Sequence, residues 1–405
     1  MTPRISFATL LCLAVYFACC GLFTTATVAQ DAGEARKKDS TIRFATFNIS
    51  FYRKTEGKLK RDLAAGKMLN PKRIAEIIQR VRPDVLLLNE FDYDADGESI
   101  KHFAEKFLSV SQNGQSPIEY EFVYHNAVNT GVDTGLDLNG DGKLKTGSDA
   151  FGFGVFPGQY GMVVLSKHKI DTDNVRTFQK FLWKDMPDHQ WPINPETKQP
   201  YYSDDIKMIF RLSSKSHWDV PILVGEKTIH FLAAHPTPPV FDEAEDRNGK
   251  RNHDEIRLFA DYVTPGKADY IYDDKGKRGG LAKGTHFVIA GDMNADEADG
   301  DSADNAAELL TKHPLINHEM TPSSEGGVYY AKEQGGVNAE HKGNPAFDTS
   351  DFNDRTSGNM RIDYCLPSKT LTIRKSGIFW PKPGQPGADL IKATEHRMTW
   401  IDLEK

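Results

Sequence analysis

The stretch His286–Asn294, HFVIAGDMN, decides how this chain folds. Its apolar residues run directly into Gly291 and Asp292, and a short apolar run bounded by a turn signal predicts a buried β-strand. Open sheets place their chemistry just past the carboxyl ends of such strands. If the strand period persists, Asp292 and Asn294 share one side, where a carboxylate and an amide could hold a water and a phosphate oxygen. Taken alone, the same residues are also typical of an ordinary Gly-Asp turn.

Composition indicates a globular protein with a sizeable core. The chain has 405 residues, of which 39% are hydrophobic and 26% are charged. Its formal net charge is −7, and the absence of a basic block argues against strong non-specific binding to nucleic acid without excluding such a substrate. Strand-like segments alternate with helical ones. We therefore predict one α/β or α+β domain over residues 41–405 with long loop insertions.

The first 29 residues have the pattern of a secretory signal peptide. Arg4 precedes an apolar stretch at Phe7–Phe23, and small residues at Thr27–Ala29 suit a cleavage site. The apolar stretch is also close to membrane-spanning length, so a retained anchor is one alternative, and a lipoprotein is another. Residues 30–40 are polar and predict a linker. We therefore predict an exported protein, either periplasmic or secreted.

Four further apolar segments end in, or contain, side chains that can carry chemistry. The segments are Thr41–Asn48, Val85–Glu90, Ile229–His235 and Arg361–Ser368. The last of them holds Asp363 inside an apolar run, where a carboxylate needs a partner. Each of these residues alone is as typical of a structural role as of a catalytic one.

The pattern also predicts two helices and two insertions. Asn70 and Pro71 are typical of a helix start, and apolar spacing carries that helix to residue 81. A second helix is predicted from about Asp254 to Tyr262. The stretches 126–157 and 321–357 are rich in glycine and polar residues and predict surface insertions.

One part of the first insertion resembles the start of a calcium-binding loop. Asp137, Asn139 and Asp141 alternate as oxygen donors, and Gly142 follows for the turn. The glutamate that normally closes such a loop is absent, because Ser148 stands at that position. The sequence therefore leaves both a bound Ca²⁺ and a flexible acidic turn open.

The order of these segments resembles the endonuclease/exonuclease/phosphatase superfamily. The motifs that carry the resemblance are TFNI, LLLNEF, YGMVVLSK, AAHPTPP, AGDMNAD and RIDYCLPS, followed by an acid-His pair. Each motif alone is weak, but the ordered set spans residues 42–401. The resemblance implies a four-layer sandwich, in which two mixed β-sheets pack face to face between outer helices. It also implies hydrolysis of a phosphate ester with a divalent cation, Mg²⁺ or Mn²⁺.

The resemblance assigns metal-site residues by position. Glu90 looks like the main metal ligand, and Asn48 would bind the phosphate or the metal. The family usually ends in Ser-Asp-His, whereas this chain has Thr394-Glu395-His396, so Glu395 would reach the metal site with one extra methylene. Some members also carry an acid where this chain has Ser50. Both departures put the metal geometry in doubt.

The resemblance assigns the catalytic residues in the same way. Asp292 would orient or deprotonate the attacking water, and Asn294 would bind the phosphate. His396 would be the second catalytic imidazole, oriented by Asp363. His235 would stabilise the phosphate oxygens and the leaving group. A buried acid beside a histidine makes independent sense, because the pair removes the problem of an unpartnered carboxylate.

Two other classes of function compete with this interpretation. One is a non-catalytic interaction protein that kept the fold, and the other is a calcium-binding adhesive module. Within the enzyme class, the substrate could be nucleic acid, a small organic phosphate or a lipid. We predict no stable protein partner, and the sequence does not indicate an oligomeric state.

Overall fold

The computed structural model describes residues 40–405, which form one compact unit. The predicted signal peptide and nearly all of the predicted linker lie outside these residues. The strands are β1 (Thr41–Phe51), β2 (Val85–Phe91), β3 (Phe122–His125), β4 (Met162–Ser166), β5 (Arg176–Thr177), β6 (His217–Val224), β7 (Lys227–Ala234), β8 (His286–Asp292), β9 (Ser350–Asp351), β10 (Asn359–Met360), β11 (Asp363–Pro367), β12 (Ile373–Ile378) and β13 (Thr399–Glu404).

Two large mixed sheets organise these strands. The first sheet has the order β12-β13-β1-β2-β4-β3, and the second has the order β11-β8-β7-β6-β5. The neighbours β1 and β2 are parallel, as are β7 and β8, and the other pairs in both sheets are antiparallel. Strands β9 and β10 form a separate hairpin. The opening stretch of the sequence is thus β8, inside the second sheet.

Strand alternation builds one core between the two sheets and one on each outer face. Phe44 of β1 faces inward with Ala290 of β8, whereas Phe47 and Ile289 face the outer layers. Gly291 lets β8 lie close to β7, because its φ is +152° and a Cβ there would meet the carbonyl oxygen of Ala234 at 2.0 Å. Inward and outward positions therefore alternate along each strand, as the period of two requires.

Helices cover both outer faces. They are α1 (Lys58–Ala65), α2 (Leu69–Val81), α3 (Glu98–Phe103), α4 (Asp204–Ile209), α5 (Arg247–Val263), α6 (Glu308–Thr311) and α7 (Glu325–Gln334). The first three share a core with the outer face of the first sheet, and α4, α5 and α6 share one with the second. The predicted four-layer sandwich is confirmed. Within residues 40–405, no helix is both long and apolar enough to cross a membrane.

The structure corrects three details of the sequence interpretation. Helix α2 begins at Leu69, so Asn70 lies inside the first turn and does not cap it. Helix α5 begins at Arg247, well before Asp254, because polar residues of its first half are buried against neighbouring loops. The predicted insertion at 321–357 contains α7 and β9, and β10 follows it directly. Polar composition was therefore mistaken for exposed loop.

Candidate active site

Strand alternation places four predicted residues at one rim of the sandwich. His235, Asp292 and Asp363 each lie two positions from an inward-facing apolar residue of β7, β8 or β11. The register pairs Asp363 directly with Asp292, and His235 follows the strand beside them. Asn48 continues the inward face of β1 in the opposite sheet. All four side chains are nearly fully buried, so the rim is a shared polar site between the sheets.

Asp292 is the centre of this site. Its Oδ2 accepts a hydrogen bond from Nδ2 of Asn48 at 2.9 Å, and it lies 3.5 Å from Nε2 of His235 and 3.7 Å from Nε2 of His396. Its Oδ1 accepts the backbone N–H of Asn294 at 3.0 Å. One carboxylate thus meets an amide, two imidazoles and a backbone donor. That arrangement holds Asp292 in place at the centre of the site.

Asp363 and His396 form a buried pair beside Asp292. Nδ1 of His396 lies 2.9 Å from Oδ2 of Asp363, and both residues are almost fully buried. Burial disfavours the charged imidazole, but Asp363 and Asp292 outweigh it and raise the pKa of His396 to about 9. We therefore assign His396 as an imidazolium at neutral pH, with its Nε2 directed toward Asp292.

Glu90 reaches the same rim through an unusual backbone conformation. Alternation along β2 would send its side chain to the outer face, but its φ is +60°, which costs a non-glycine residue strain. The register of β1 and β2 also shifts after Asn48. As a result, Nδ2 of Asn48 donates to Oε1 of Glu90 at 3.1 Å. The strain serves to bring a carboxylate to the site.

Glu90 and Asn48 fit a divalent cation. Burial raises the pKa of Glu90, although His396, Asn48 and Lys215 act in the opposite direction. Within residues 40–405, no ion pair with a lysine, arginine or histidine involves Glu90, and its side-chain hydrogen bond comes from the neutral Asn48. Mg²⁺ and Mn²⁺ prefer oxygen ligands and often use only one or two carboxylates. Glu90 and Asn48 are therefore candidate metal ligands.

A second group could also hold an ion. Among the described residues, Asp292, Asp363 and His396 offer ligand atoms that all lie within 4.8 Å of one another. Their geometry, however, already matches a hydrogen-bonded pair next to a carboxylate. A protonated His396 would repel a cation. We therefore favour Glu90 and Asn48 for the metal and the other three for acid-base and charge roles.

Lys215 belongs to the site, although the sequence analysis did not identify it. It is only 6% exposed, and its Nζ donates to the carbonyl of Pro236 at 3.3 Å. Burial lowers its pKa, whereas the nearby carboxylates, including Glu90 and Asp292, favour its charged form. Together with burial, its charge holds the pKa of His235 well below the usual value. His235 is therefore a neutral imidazole at neutral pH.

The signal that could have found Lys215 is the β6–β7 hairpin. Because β6 runs antiparallel to β7, the residues before β6 and after β7 lie at the same rim. Lys215 comes just before β6, and His235 comes directly after β7. The local sequence around Lys215 is a run of serines with no recognisable motif, so the hairpin pairing alone would have pointed to it.

Helix α5 fixes the loops that carry these residues. The carboxylate of Glu255 accepts the backbone N–H groups of Ser214 and Thr237, each at 2.6 Å. Nδ2 of Asn252 donates to the carbonyls of Thr237 and Met293, each at 2.8 Å. Two adjacent turns of one helix thus tie together the loops that carry Lys215, His235 and Asp292. This explains why polar residues in the first half of α5 are buried.

The structure places two predicted residues differently. The strand period ends at Asp292, because Asn294 has a φ of +51°, and its Nδ2 donates to the carbonyl of Pro236 at 3.1 Å. Asn294 therefore lies near the site, but strand alternation does not set the direction of its side chain. Glu395 is exposed, and the hydrogen bond observed for it is made by its backbone carbonyl with Asp351. Nothing in residues 40–405 brings the Glu395 carboxylate to the metal-site residues.

The side-chain oxygens of the predicted calcium loop accept hydrogen bonds from backbone N–H groups of the same loop. Asp137 accepts the N–H groups of Gly140 and Asp141 through Oδ1 and that of Gly142 through Oδ2. Asn139 accepts a further bond from Asp141. In the described part of the chain, the group of acids and histidines close enough to hold an ion lies elsewhere, at Asp292. Ca²⁺ binding by this loop stays a prediction.

The sequence of this chain matches the model of a known protein family. A model of the Endonuclease/Exonuclease/phosphatase family matches residues 45–389, which is most of the chain. The chain belongs to this family. Membership in the endonuclease/exonuclease/phosphatase family supports a phosphate-ester hydrolase. The matched region contains every rim residue described above except His396, which follows it.

Solved structures of the endonuclease/exonuclease/phosphatase family are similar to this chain at low sequence identity. A protein from Beutenbergia cavernae is 16% identical, covering 90% of this chain and 72% of its own, with a TM-score of 0.48. One from Leptotrichia buccalis is 13% identical, with coverages of 90% and 100% and a TM-score of 0.46. One from Bacteroides thetaiotaomicron is 12% identical, with coverages of 90% and 97% and a TM-score of 0.46. No curated protein sequence matches significantly.

Proposed function

We propose that this protein is a divalent-metal-dependent phosphodiesterase. The observation that carries the proposal is the position of Asp292, whose Oδ2 lies within hydrogen-bonding reach of Asn48 and within 3.7 Å of two imidazoles. A carboxylate in that position can accept a proton from water. The surrounding donors can offset charge on phosphate oxygens as it develops.

The proposed reaction is the attack of a water on phosphorus. The oxygen of the water bonds to phosphorus, and the bond between phosphorus and the leaving oxygen breaks. Asp292 takes a proton from the attacking water. His396, kept positive by Asp363, offsets charge on the phosphate oxygens, and neutral His235 donates a hydrogen bond to the departing oxygen. Glu90 and Asn48 would hold the divalent cation, which supplies further positive charge to the phosphate when bound.

Charge balance favours a diester over a monoester. The rim contains the carboxylates of Glu90, Asp292 and Asp363, against the cations His396 and Lys215. A divalent cation would turn this single net negative charge into a single net positive charge. A phosphodiester carries one negative charge and a monoester about two at neutral pH. The site therefore matches the diester.

Lys215 gives the first prediction. Lys215→Met keeps the buried stem but removes the positive charge, so we expect kcat/KM for a diester to fall by about 10²-fold, as for the loss of one charge-stabilising donor. Steady-state kinetics with bis-p-nitrophenyl phosphate would measure it. The matched control is Lys312→Met on α6, where the lysine is exposed. Equal kinetics in the two variants would remove Lys215 from the site.

We also propose that the protein is exported. The support is the sequence pattern of residues 1–29, with Arg4 ahead of an apolar stretch and small residues before Gln30. Expression of the full chain in a bacterial host should give a periplasmic or secreted product that begins at Gln30. N-terminal mass spectrometry would identify the start. A product that keeps residues 1–29 would contradict cleavage and favour an anchor.

A substrate panel tests the function directly. The purified protein is assayed on bis-p-nitrophenyl phosphate, p-nitrophenyl phosphate, inositol hexakisphosphate and plasmid DNA, each with Mg²⁺, Mn²⁺, Ca²⁺ or EDTA. We expect turnover that requires metal and prefers the diester over the monoester by about tenfold or more, as one unmatched charge in a shielded site would give. Undiminished turnover in EDTA would refute the metal role. No turnover of any phosphate ester would favour the non-catalytic alternative.

A further inference from the structure

Arg397, the residue after His396, is buried behind the candidate active site. It is 3% exposed. Its Nη1 donates to the carbonyls of Thr394 and His396 at 2.8 Å and 3.1 Å. Its Nη2 donates to Oδ2 of Asp351 at 2.7 Å, and its guanidinium lies 4.6 Å from the ring centroid of Trp380. The guanidinium of Arg397 thus binds backbone carbonyls on both sides of Glu395.

The hairpin segment Thr349–Asp351 holds the same region from the other side. The carbonyl of Thr349 accepts the N–H of Arg397 at 2.7 Å, and the N–H of Asp351 donates to the carbonyl of Glu395 at 2.8 Å. Oγ1 of Thr349 also accepts the N–H of Asp363 at 2.9 Å. This segment therefore contacts the backbone of Asp363 and the backbone on both sides of His396, and Ser350 forms an isolated antiparallel bridge with His396 itself.

We infer that Arg397, through its ion pair with Asp351, is a positioning residue that fixes the His396 imidazole between Asp363 and Asp292. The inference rests on the proposed function for its catalytic meaning. Arg397 touches no reacting atom. It acts by holding the backbone carbonyls of Thr394 and His396. Its rigid fork suits this task, because a planar guanidinium can bind several acceptors at fixed angles.

Stability alone does not account for this arrangement. A buried ion pair is expensive to desolvate, and apolar side chains of similar volume often stabilise a protein as well. A positioning role explains why a charged guanidinium is buried here, because a shift of about 1 Å in a catalytic group can cost about 10²-fold in rate. The ring of His396 is hydrogen-bonded to Asp363 and packs edge-on against Phe352 with ring centroids 5.7 Å apart, so its location also depends on where the backbone places it.

Arg397→Lys is the decisive variant, because it keeps the charge and removes the fork. We expect kcat to fall by about 10- to 100-fold with KM changed less than about twofold, since positioning acts on the chemical step. In ¹⁵N-histidine-labelled protein, the His396 imidazole signal, assigned by its absence in His396→Ala, should shift and titrate at lower pH. The shift reports loss of the Asp363 hydrogen bond and needs no enzymatic activity.

The chain contains a matched control pair far from the site. Arg43 binds both oxygens of Asp402 at 2.7 Å and lies 3.8 Å from the ring centroid of Trp400, at the amino end of β1. Arg43→Lys should lower the melting temperature and leave both kcat and the His396 signal unchanged. If Arg397→Lys does not fold, Asp351→Asn leaves the fork in place without its counter-charge and should give a smaller change in the same direction.

The outcomes separate the two proposals. An unchanged His396 signal and kcat in a folded Arg397→Lys protein would overturn the positioning role. A protein without phosphoesterase activity, in which Arg397→Lys still shifts the His396 signal, would overturn the proposed function and leave the positioning role standing. A fall in melting temperature that is equal in Arg397→Lys and Arg43→Lys, with no other change, would reduce Arg397 to a structural residue.

Discussion

Replacing His396 with alanine is expected to lower kcat for a phosphodiester by about 10³-fold or more. The variant removes both the positive charge beside Asp292 and the partner of Asp363, and each such loss typically costs about 10²- to 10³-fold. Steady-state kinetics at saturating metal would measure the loss. The fold should survive, because the His396 ring lies at the rim and not in the core between the sheets. Full activity in a folded variant would remove His396 from the mechanism.

The pH dependence gives this prediction a second readout. The pKa of His396 is raised to about 9 in the folded protein, above its ordinary value. The stability that the charged imidazole contributes is therefore fully present below about pH 6.5 and is lost as pH rises through about 9. Both kcat and the melting temperature of the natural protein should fall across this window. His396→Ala should show a flatter dependence of melting temperature on pH in the same range.

Replacing Glu90 with glutamine is expected to change metal dependence. The variant keeps the shape of the side chain and removes its charge, so the Mg²⁺ concentration for half-maximal activity should rise by about 10- to 100-fold or activity should vanish. Metal titrations of diester hydrolysis would measure the change. In the absence of metal, Glu90→Gln should also raise the melting temperature at neutral pH. The reason is that a raised carboxylate pKa means that ionised Glu90 destabilises the metal-free fold above its ordinary pKa.

Glu395→Gln is the informative comparison for Glu90→Gln. The family resemblance makes Glu395 a metal-site residue, whereas the structure leaves it exposed. If Glu90 is the ligand and Glu395 is not, only Glu90→Gln raises the metal requirement. Equal effects of the two substitutions would mean that Glu395 turns inward when the metal binds. An unchanged requirement in Glu90→Gln would move the metal to another set of residues.

Much of the rim follows from sequence because strands alternate. Asp292 and Asp363 interrupt apolar runs in the sequence, and in the structure they pair directly in register on the inward face of their sheet. Asn48 in β1 and His235 just after β7 continue the inward faces of their strands in the same way. The family resemblance then assigned Asp292 and Asp363, together with His396, to one catalytic site. Local pattern and fold together therefore predicted the centre of the site.

The rest depends on features that a linear pattern does not carry. Glu90 reaches the site only through a left-handed backbone conformation, against the alternation of its own strand. Lys215 has no motif, and its place depends on the pairing of β6 with β7. The role of the segment around Thr349 is hidden by its composition, because polar residues that bind backbone groups look the same in sequence as exposed loop.

The pairing of β1 with β13 has a consequence for folding. Oγ1 of Thr394 donates to the carbonyl of Asn48, and 346 residues separate the two in the chain. Contacts between such distant segments close late and slow the search for the native state. We therefore expect the site to form late in folding. A fragment that ends before His396 would lack both this imidazole and β13, the strand between β12 and β1, so we expect turnover to report completion of the whole fold.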